Sequence, residues 1–280
     1  MKIIFQMIAF NSDAVLDACL ESIAPYGEII VTEGAVKFWR DRGFTTSTDR
    51  TNEILSQHVP KENIVHGSFP EKDDMMNAAI HLIPDDVTHV WMVDCDEIWT
   101  SESIERVLAR LRLDDFDSVA FKPVTFFGGF DHVMGGFEER FTWYRIQRWY
   151  PGARWATHRP PTINAPDGVS WANHWHWDCE ERFYHYSYVF PDAVKAKAEY
   201  YASRGGTIPQ WFERIWLPWV LGNPKERSRI ENNFDGVHEW IPMRRGDART
   251  RPFAGEHPLV IQKRMPELQA RFERELTKHR

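Results

Sequence analysis

Val90-Trp91-Met92-Val93-Asp94-Cys95-Asp96-Glu97 is an apolar run of strand length that ends in three acids within four positions. Carboxylates crowded at the end of a buried strand repel one another and require a cation. Hard oxygen ligands at this spacing suit Mg²⁺ or Mn²⁺, ions that take a substrate's phosphate oxygens along with protein carboxylates. An acidic turn before the helix that Ser101 opens is the plain structural alternative, and a bare D-x-D decides little. At the end of a buried strand, inside an alternation of strands and helices, it decides more.

That alternation runs upstream to the first residues. Lys2 to Phe10 is an apolar run, and Asn11-Ser12-Asp13 caps a helix with Leu16, Leu20 and Ile23 on one face. Glu28 to Val31 predicts a second strand, Thr48 caps a helix over 49–57, and Asn63 to His66 is a weaker strand. Lys72 to Ile83 repeats the helical period until Pro84-Asp85-Asp86 breaks it before a strand from His89 to Val93. This order predicts an α/β fold whose central sheet is mostly parallel and flanked by helices, of the Rossmann-like nucleotide-binding kind, with ligands at the carboxyl ends of the strands. Beyond Ser118 the texture turns aromatic. Ten of the 13 Trp fall between Trp143 and Trp240, which predicts a second functional region, with Trp143, Trp149, Trp155 and Trp175 as candidates for a wall that stacks on sugar rings. Helices are predicted over 192–203, 210–221 and 266–278, with Trp211, Trp216 and Trp219 as packing residues. We divide the chain into a nucleotide-binding first half (1–120), an aromatic second half of the same domain (121–205) and a helical C-terminal extension (206–280).

With 42% hydrophobic and 27% charged residues among 280, and only 33 Gly plus Pro, the composition excludes a disordered or fibrous chain. Three cysteines without a C-x-x-C argue against a disulfide framework and for a reducing, cytoplasmic setting. The N-terminal apolar run contains Gln6 and lacks a cleavage site, so it is expected to be a strand and not a signal sequence. No stretch nears the ~20 apolar residues of a spanning helix, which leaves peripheral attachment to a membrane as the closest lipid contact expected. Residues 1–224 hold 21 Lys and Arg against 32 Asp and Glu, and residues 225–280 hold 13 against 9. The acidic body argues against a dedicated nucleic-acid binder, while the basic stretch Arg244 to Arg251 is either a solvated face or a contact for phosphates or an acidic acceptor.

The chain resembles the GT-A glycosyltransferases, and their family 2 group in particular. The resemblance is carried by Ala9-Phe10-Asn11, Leu16-x-x-Cys19-Leu20-x-Ser22-Ile23, Glu28 to Val31, Ser47-Thr48-Asp49-Arg50-Thr51, Lys72, Asn77-Ala78-Ala79 and Asp94-x-Asp96-Glu97, and more loosely by Arg145-Ile146-Gln147-Arg148, Trp155, His158 and His185-Tyr186-Ser187-Tyr188. It implies a nucleotide-diphospho-sugar donor across the strand ends, with Mn²⁺ or Mg²⁺ bridging its diphosphate to Asp96. Asp94 would face the ribose or sugar, Glu33 the base or ribose, Asp49 and Lys72 would complete the donor site, and His185 would reach the metal or diphosphate.

Two departures matter. About a dozen extra residues follow Thr32-Glu33-Gly34, and His158-Arg159-Pro160-Pro161 stands where related chains carry a His-Glu pair. An inverting transfer needs a base at the acceptor hydroxyl, for which Asp178 and His158 are the candidates, ahead of Glu138 and Glu139. An inverting outcome is expected over a retaining one. The acceptor expected is a hydroxyl of a glycan or lipid-linked sugar precursor, or of a modified nucleic-acid base. Two readings of other classes are weighed against this: a metallohydrolase built on His174-x-His176-x-Asp178, and a nucleotide-sugar-binding module without turnover.

Overall fold

The computed structural model describes residues 1–166, 175–239 and 247–280. Contacts gather them into two compact units, Met1–Lys122 with Thr142–Phe183, and Pro123–Phe141 with Tyr184–Arg280.

In the first unit β1 (Ile3–Ala9), β2 (Glu28–Val36), β3 (Ile64–Phe69) and β4 (His89–Met92) run parallel in the order β3-β2-β1-β4, with α1 (Leu16–Ile23), α2 (Lys37–Arg40), α3 (Thr51–His58) and α4 (Lys72–Ala78) in the connections. This is the α/β order expected. β1 and β4 are buried almost throughout, as strands covered on both faces must be. Gln6, the polar residue in β1, is fully paired: its amide nitrogen donates to the Met76 carbonyl at 2.6 Å, and its oxygen accepts from the Trp155 indole at 2.8 Å. The chain steps outward from β1 to β3 and returns on the other side of β1 as β4. The sheet's switch point therefore lies between β1 and β4, where such sheets leave a crevice beyond the strand ends.

After β4 come β5 (Glu97–Ile98) and α5 (Ser101–Leu113), whose cap is Thr100 and not Ser101; the Thr100 hydroxyl accepts from the Ser103 N–H at 3.2 Å. The chain continues through β6 (Ser118–Phe127), β7 (His132–Met134), α6 (Phe137–Arg140) and β8 (Trp143–Arg148). β8 lies antiparallel to β4, with Trp91 opposite Ile146, and the first residues of β6 pair with its far edge. A hairpin of β9 (Arg154–His158) and β10 (Pro161–Asn164) follows, then the long β11 (His176–Tyr188).

β2 runs five residues past the Val31 boundary expected from sequence, because part of the extra segment pairs onward with β3: Gly34 faces Gly67 and Val36 faces Phe69. Gly34 sits at φ +150°, and a β-carbon there would stand 1.9 Å from the Gly67 carbonyl oxygen. Gly34→Ala should accordingly cost about 3 kcal/mol of unfolding free energy through strain and forced separation of the strands. Urea unfolding checks this, and an unchanged midpoint would refute the close approach.

In the second unit the end of β6, β7 and β12 (Thr250–Pro252) pair antiparallel, with Phe126 opposite Val133 and Thr250 opposite Met134. α7 (Pro191–Ala202), a π-helical turn (Phe212–Trp216) leading into α8 (Leu217–Leu221), α9 (Pro224–Asn233), α10 (Leu259–Gln262) and α11 (Met265–Thr277) supply its helices. Phe127, Trp211, Phe212, Ile215, Trp216 and Trp219 build its core, so these three tryptophans are packing residues as expected. Among the described residues no helix is long and apolar enough to cross a membrane.

Candidate functional site

The acid turn follows β4 directly. Val93 still donates to the Gln6 carbonyl at 3.0 Å, after which the chain turns and Glu97 donates its N–H to the Asp94 carbonyl at 3.0 Å. Two buried thiols seal the turn from beneath: Cys95 Sγ donates to the Ile8 carbonyl at 3.3 Å and Cys19 Sγ to the Asp94 carbonyl at 3.6 Å. Burial, with the nearby acids, pushes both thiols far up, so they stay protonated.

The cation that the crowded acids require is already in the chain. Arg145, on β8 beside Ile146, sends its Nε to both Glu97 carboxylate oxygens at 2.9 and 3.0 Å, and its Nη2 to Asp94 Oδ2 at 3.0 Å and to Glu97 Oε1. The Arg145 side chain is 4% exposed and that of Glu97 0%. Burial alone would raise the Asp94 carboxyl and lower the Arg145 guanidinium. Attraction reverses both: Arg145 and then Arg159 hold Asp94 well below the usual carboxylate range, and Glu97 and then Asp94 hold Arg145 above its own. Asp94 and Glu97 are thus held by a guanidinium. Asp96, half-buried on the same turn, is the third acid, and its charge is felt at Lys72 and Asp94.

α4 and β9 close one side of the cluster. Asn77 locks them together, donating to the Trp155 carbonyl and accepting from the Trp155 N–H, both at 3.0 Å, while Asp73 accepts from the His158 N–H at 2.6 Å. This brings Lys72 and His158 to the acid turn, as their effects on each other and on Asp94 register. Burial first, and then Arg159, draw Lys72 down to about 8 against the pull of Asp94 and Asp96. Burial, Lys72 and Arg159 drive His158 well below its ordinary value, so near pH 7 it is a neutral imidazole with little affinity for a proton. Arg159 itself comes within 3.8 Å of Asp94 Oδ2 and lies over the Trp143 ring at 5.4 Å, on which Arg145 also rests at 5.0 Å.

Glu33 and Asp49 serve the loops. Glu33 is 1% exposed and accepts from the Ser47 N–H at 2.7 Å, from the Thr46 hydroxyl at 3.0 and 3.1 Å, and meets His66 Nδ1 at 3.0 Å. Burial would raise its carboxyl, but His66, Ser47 and Thr46 together hold it below the usual range. Asp49 accepts from the Asp13 and Thr51 N–H groups at 3.1 and 3.0 Å, which ties the loop after β1 to α3; burial and the nearby Asp13 carboxylate raise it in spite of those bonds.

Asp178 is not brought to the cluster, which corrects its choice as a base. His176 Nδ1 lies 3.0 Å from Ser118 Oγ and its Nε2 3.0 Å from Asp178 Oδ1; Ser118 is opposite Gln147, and Gln147 opposite Val90. Asp178 thus stands, exposed, near the amino end of β4, while Asp94 follows the carboxyl end. His174 lies outside the described residues, as does part of the basic stretch 244–251. Among the described residues no group of three or more His, Cys, Asp or Glu could hold a metal ion. His185 is in the second unit, buried, its Nδ1 3.3 Å from the Thr125 hydroxyl, which also donates to Glu138 at 3.3 Å. Of the stacking candidates, Trp149 and Trp155 are core residues, Trp143 is half-buried under its two guanidiniums, and Trp175 is half-exposed.

Sequence reasoning missed Arg145 and Arg159 as members of the site. The signal for Arg145 was present: a charged residue beside Ile146 on a strand destined for burial needs acids opposite it. Arg159 carries no such local signal, because only the return of the β9–β10 hairpin to α4 places it.

No protein-family model and no curated protein matches the chain. Among solved structures it is similar to S. aureus TarS. The match to TarS 1-349 has 13% identity and a TM-score of 0.42 over 99% of this chain and 81% of that one. With the UDP complex it is 12% and 0.40 over 84% and 79%, and with the UDP-GlcNAc complex 20% and 0.34 over 45% and 35%. The chain spans less than half the length of two of the TarS chains it matches, 35% in the UDP-GlcNAc complex and 43% in another TarS structure.

Proposed function

We propose that the chain is a glycosyltransferase that binds a nucleotide-diphospho-sugar beyond the carboxyl ends of β1 and β4 and transfers its sugar to a hydroxyl acceptor. The observation that carries this reading is the rigid acid turn Asp94–Glu97, pinned by Arg145 at the sheet's switch point with Lys72 beside it. A divalent ion fits in one form. With Asp94 and Glu97 held by Arg145, Asp96 is the turn's carboxylate for Mn²⁺ or Mg²⁺, and diphosphate oxygens would supply further ligands. Bound there, the ion would stabilise negative charge on the departing diphosphate. Lys72 shares that task from α4, and Asp94, immobilised by Arg145, presents its carboxylate to the ribose or sugar hydroxyls. His158, a neutral imidazole at this turn, can orient an acceptor hydroxyl by accepting its hydrogen bond but takes up a proton weakly, and an inverting transfer is the route we propose. The acceptor we propose is a glycan or a lipid-linked sugar precursor.

A thermal-shift panel tests the reading, with UDP, UDP-GlcNAc and the other nucleoside diphosphates, each with Mn²⁺, Mg²⁺ or EDTA. One nucleotide should raise the midpoint by several degrees, since a ligand of the folded state must stabilise it. No rise with any of them would sink the donor site.

The Lys72 ammonium gives the site a pH signature. An anion favours the charged amine, so its pKa in the complex lies above the value of about 8 in the unliganded protein. Below pH 8 the lysine is charged in both states and affinity is level; above it the unliganded protein loses the proton first, and affinity falls. Titration calorimetry with UDP and Mg²⁺ should show a decline approaching about tenfold per pH unit between 8 and 9.5. Lys72→Met should show a flat profile, and a flat profile in the wild type would remove Lys72 from the site.

A further inference from the structure

We propose that Arg249, in the second unit, binds a phosphate group; none of the residues assigned to the donor takes part, so the proposal stands or falls apart from the donor reading. The Arg249 Nη1 is buried and has no hydrogen-bond partner, and among the described residues no carboxylate pairs with its side chain. The residue as a whole is half-buried, so part of the side chain meets solvent while Nη1 does not. A guanidinium nitrogen shut away from water without an acceptor is costly to keep, and in a native fold such an atom marks the place of an ion or a water.

The chain around Arg249 is firmly held. Its carbonyl accepts from the Gly135 N–H at 2.6 Å, its N–H donates to the Asp247 carbonyl at 2.9 Å, and the Val237 N–H bonds the neighbouring Ala248 carbonyl at 2.8 Å. Gly136, at φ +63°, lets Asp247 approach so closely that a β-carbon would stand 1.8 Å from its carbonyl oxygen. The segment is thus pinned to the start of α6. Thr250, next along, gives its hydroxyl to Glu231 at 2.5 Å, and Arg251 reaches Glu139 on α6 at 2.6 Å.

The other charges of α6 and of residues 247–251 are matched. Arg140 pairs with Asp247 and Arg251 with Glu139, while Glu138 accepts from the Thr125 hydroxyl and faces His238. Three arginines therefore share two acids, and the arginine left over is the one whose nitrogen is buried. A spare positive charge on a planar N–H fork suits one oxyanion that offers two oxygens. The sequence favours phosphate over an isolated carboxylate: Arg244 to Arg251 holds four arginines against one acid, a charge density that attracts phosphate-bearing molecules or surfaces.

The test measures unfolding midpoints of the full chain and of Arg249→Met in phosphate-free buffer, then with inorganic phosphate, glycerol 3-phosphate or acetate. All are run in a Lys72→Met background, so that anions at the proposed donor site do not count. Without phosphate, Arg249→Met should unfold no earlier than its parent, since an apolar side chain replaces an unsatisfied cation. Phosphate and its ester should raise the parent's midpoint by several degrees and leave Arg249→Met unmoved, with acetate weaker. Calorimetry should show at least a tenfold loss of phosphate affinity in Arg249→Met, and a smaller loss in Arg249→Lys, which keeps the charge without the fork. Sedimentation with phosphatidylglycerol vesicles, against phosphatidylcholine, names the source. Vesicle binding that Arg249→Met abolishes marks a lipid headgroup; glycerol phosphate binding without it marks a soluble ester. A parent that responds to none of these probes, or a phosphate shift that survives in Arg249→Met, overturns the proposal, as does a midpoint that falls in Arg249→Met before phosphate is added. If methionine prevents folding, Arg249→Gln serves for the comparison of phosphate shifts.

Discussion

Arg145→Met should lower the unfolding free energy by about 4 kcal/mol, the largest stability loss expected of any single substitution in the first unit. The substitution leaves Glu97, 0% exposed, without the guanidinium that satisfies both its oxygens, and it strips Asp94 of its nearest countercharge. The loss comes from the stranded carboxylates more than from any net gain the ion pair provides, since the attraction in such pairs largely offsets the cost of desolvating them. The double variant Arg145→Met, Glu97→Leu removes the stranded charge as well, and should recover about half of the loss. Urea unfolding of the four members of the cycle measures this; a single-variant loss below about 1 kcal/mol would show that water reaches the turn. The pH dependence has a definite sign. Burial works to raise Asp94, but Arg145 and Arg159 hold it below its unfolded value, so its contribution is present at neutral pH and fades as acid is added below about pH 4. In Arg145→Met that acid-side loss should be blunted.

Asp96→Asn should lower sugar transfer, or hydrolysis of the donor where no acceptor is supplied, by about a thousandfold or more. Its effect on stability should stay within about 1 kcal/mol, because Asp96 is half-buried and asparagine keeps its shape and an accepting oxygen. The contrast would separate the three acids of one turn under the proposed function: Glu97 would act on the fold, Asp94 on both fold and donor, Asp96 on the reaction. Removing one oxyanion stabiliser of this kind usually costs two to three powers of ten, and here the charge that would hold a divalent ion goes with it. A folded Asp96→Asn that turns over donor at the wild-type rate would refute both the metal position and the division of labour. The Mn²⁺-dependent part of nucleotide stabilisation should vanish with it, while the part due to Lys72 persists.

The parallel order of β1 to β4 could be read from sequence because fully buried strands are continuous apolar runs and their connecting helices keep a 3.6-residue period. The ends of elements were less legible. α4 stops at Ala78 although Met76, Ala79 and Ile83 all reach the core, because a 3₁₀ turn carries the apolar pattern onward. Asp94 and Asp96 could be named in advance from the local pattern of acids at a strand end, whereas Lys72 and His158 were named through the family resemblance. What those residues do to one another could not be read. Arg145 is 48 positions from Glu97, and Arg159 is 87 from Lys72, brought near it through the pairing of Asn77 with Trp155 and of Asp73 with His158. Asp178 misled for the converse reason: alternation along a strand tells which face a side chain takes, but not which end of the neighbouring strands it stands beside.

Glu33 turns a length of chain into an exchangeable cassette. Its carboxylate gathers Thr46 and Ser47 back to the end of the sheet, and the Ala35 N–H bonds the Thr45 carbonyl at 3.2 Å, so both ends of the intervening residues are fastened to the same place. A loop stapled at its neck transmits little of its length to the structure below, and each doubling of length adds only about 0.6 kcal/mol of closure entropy. Residues 37–44 should therefore accept changes of length as one block beside the proposed donor site, provided that the contacts of Trp39 and Phe44 with Phe10 are kept.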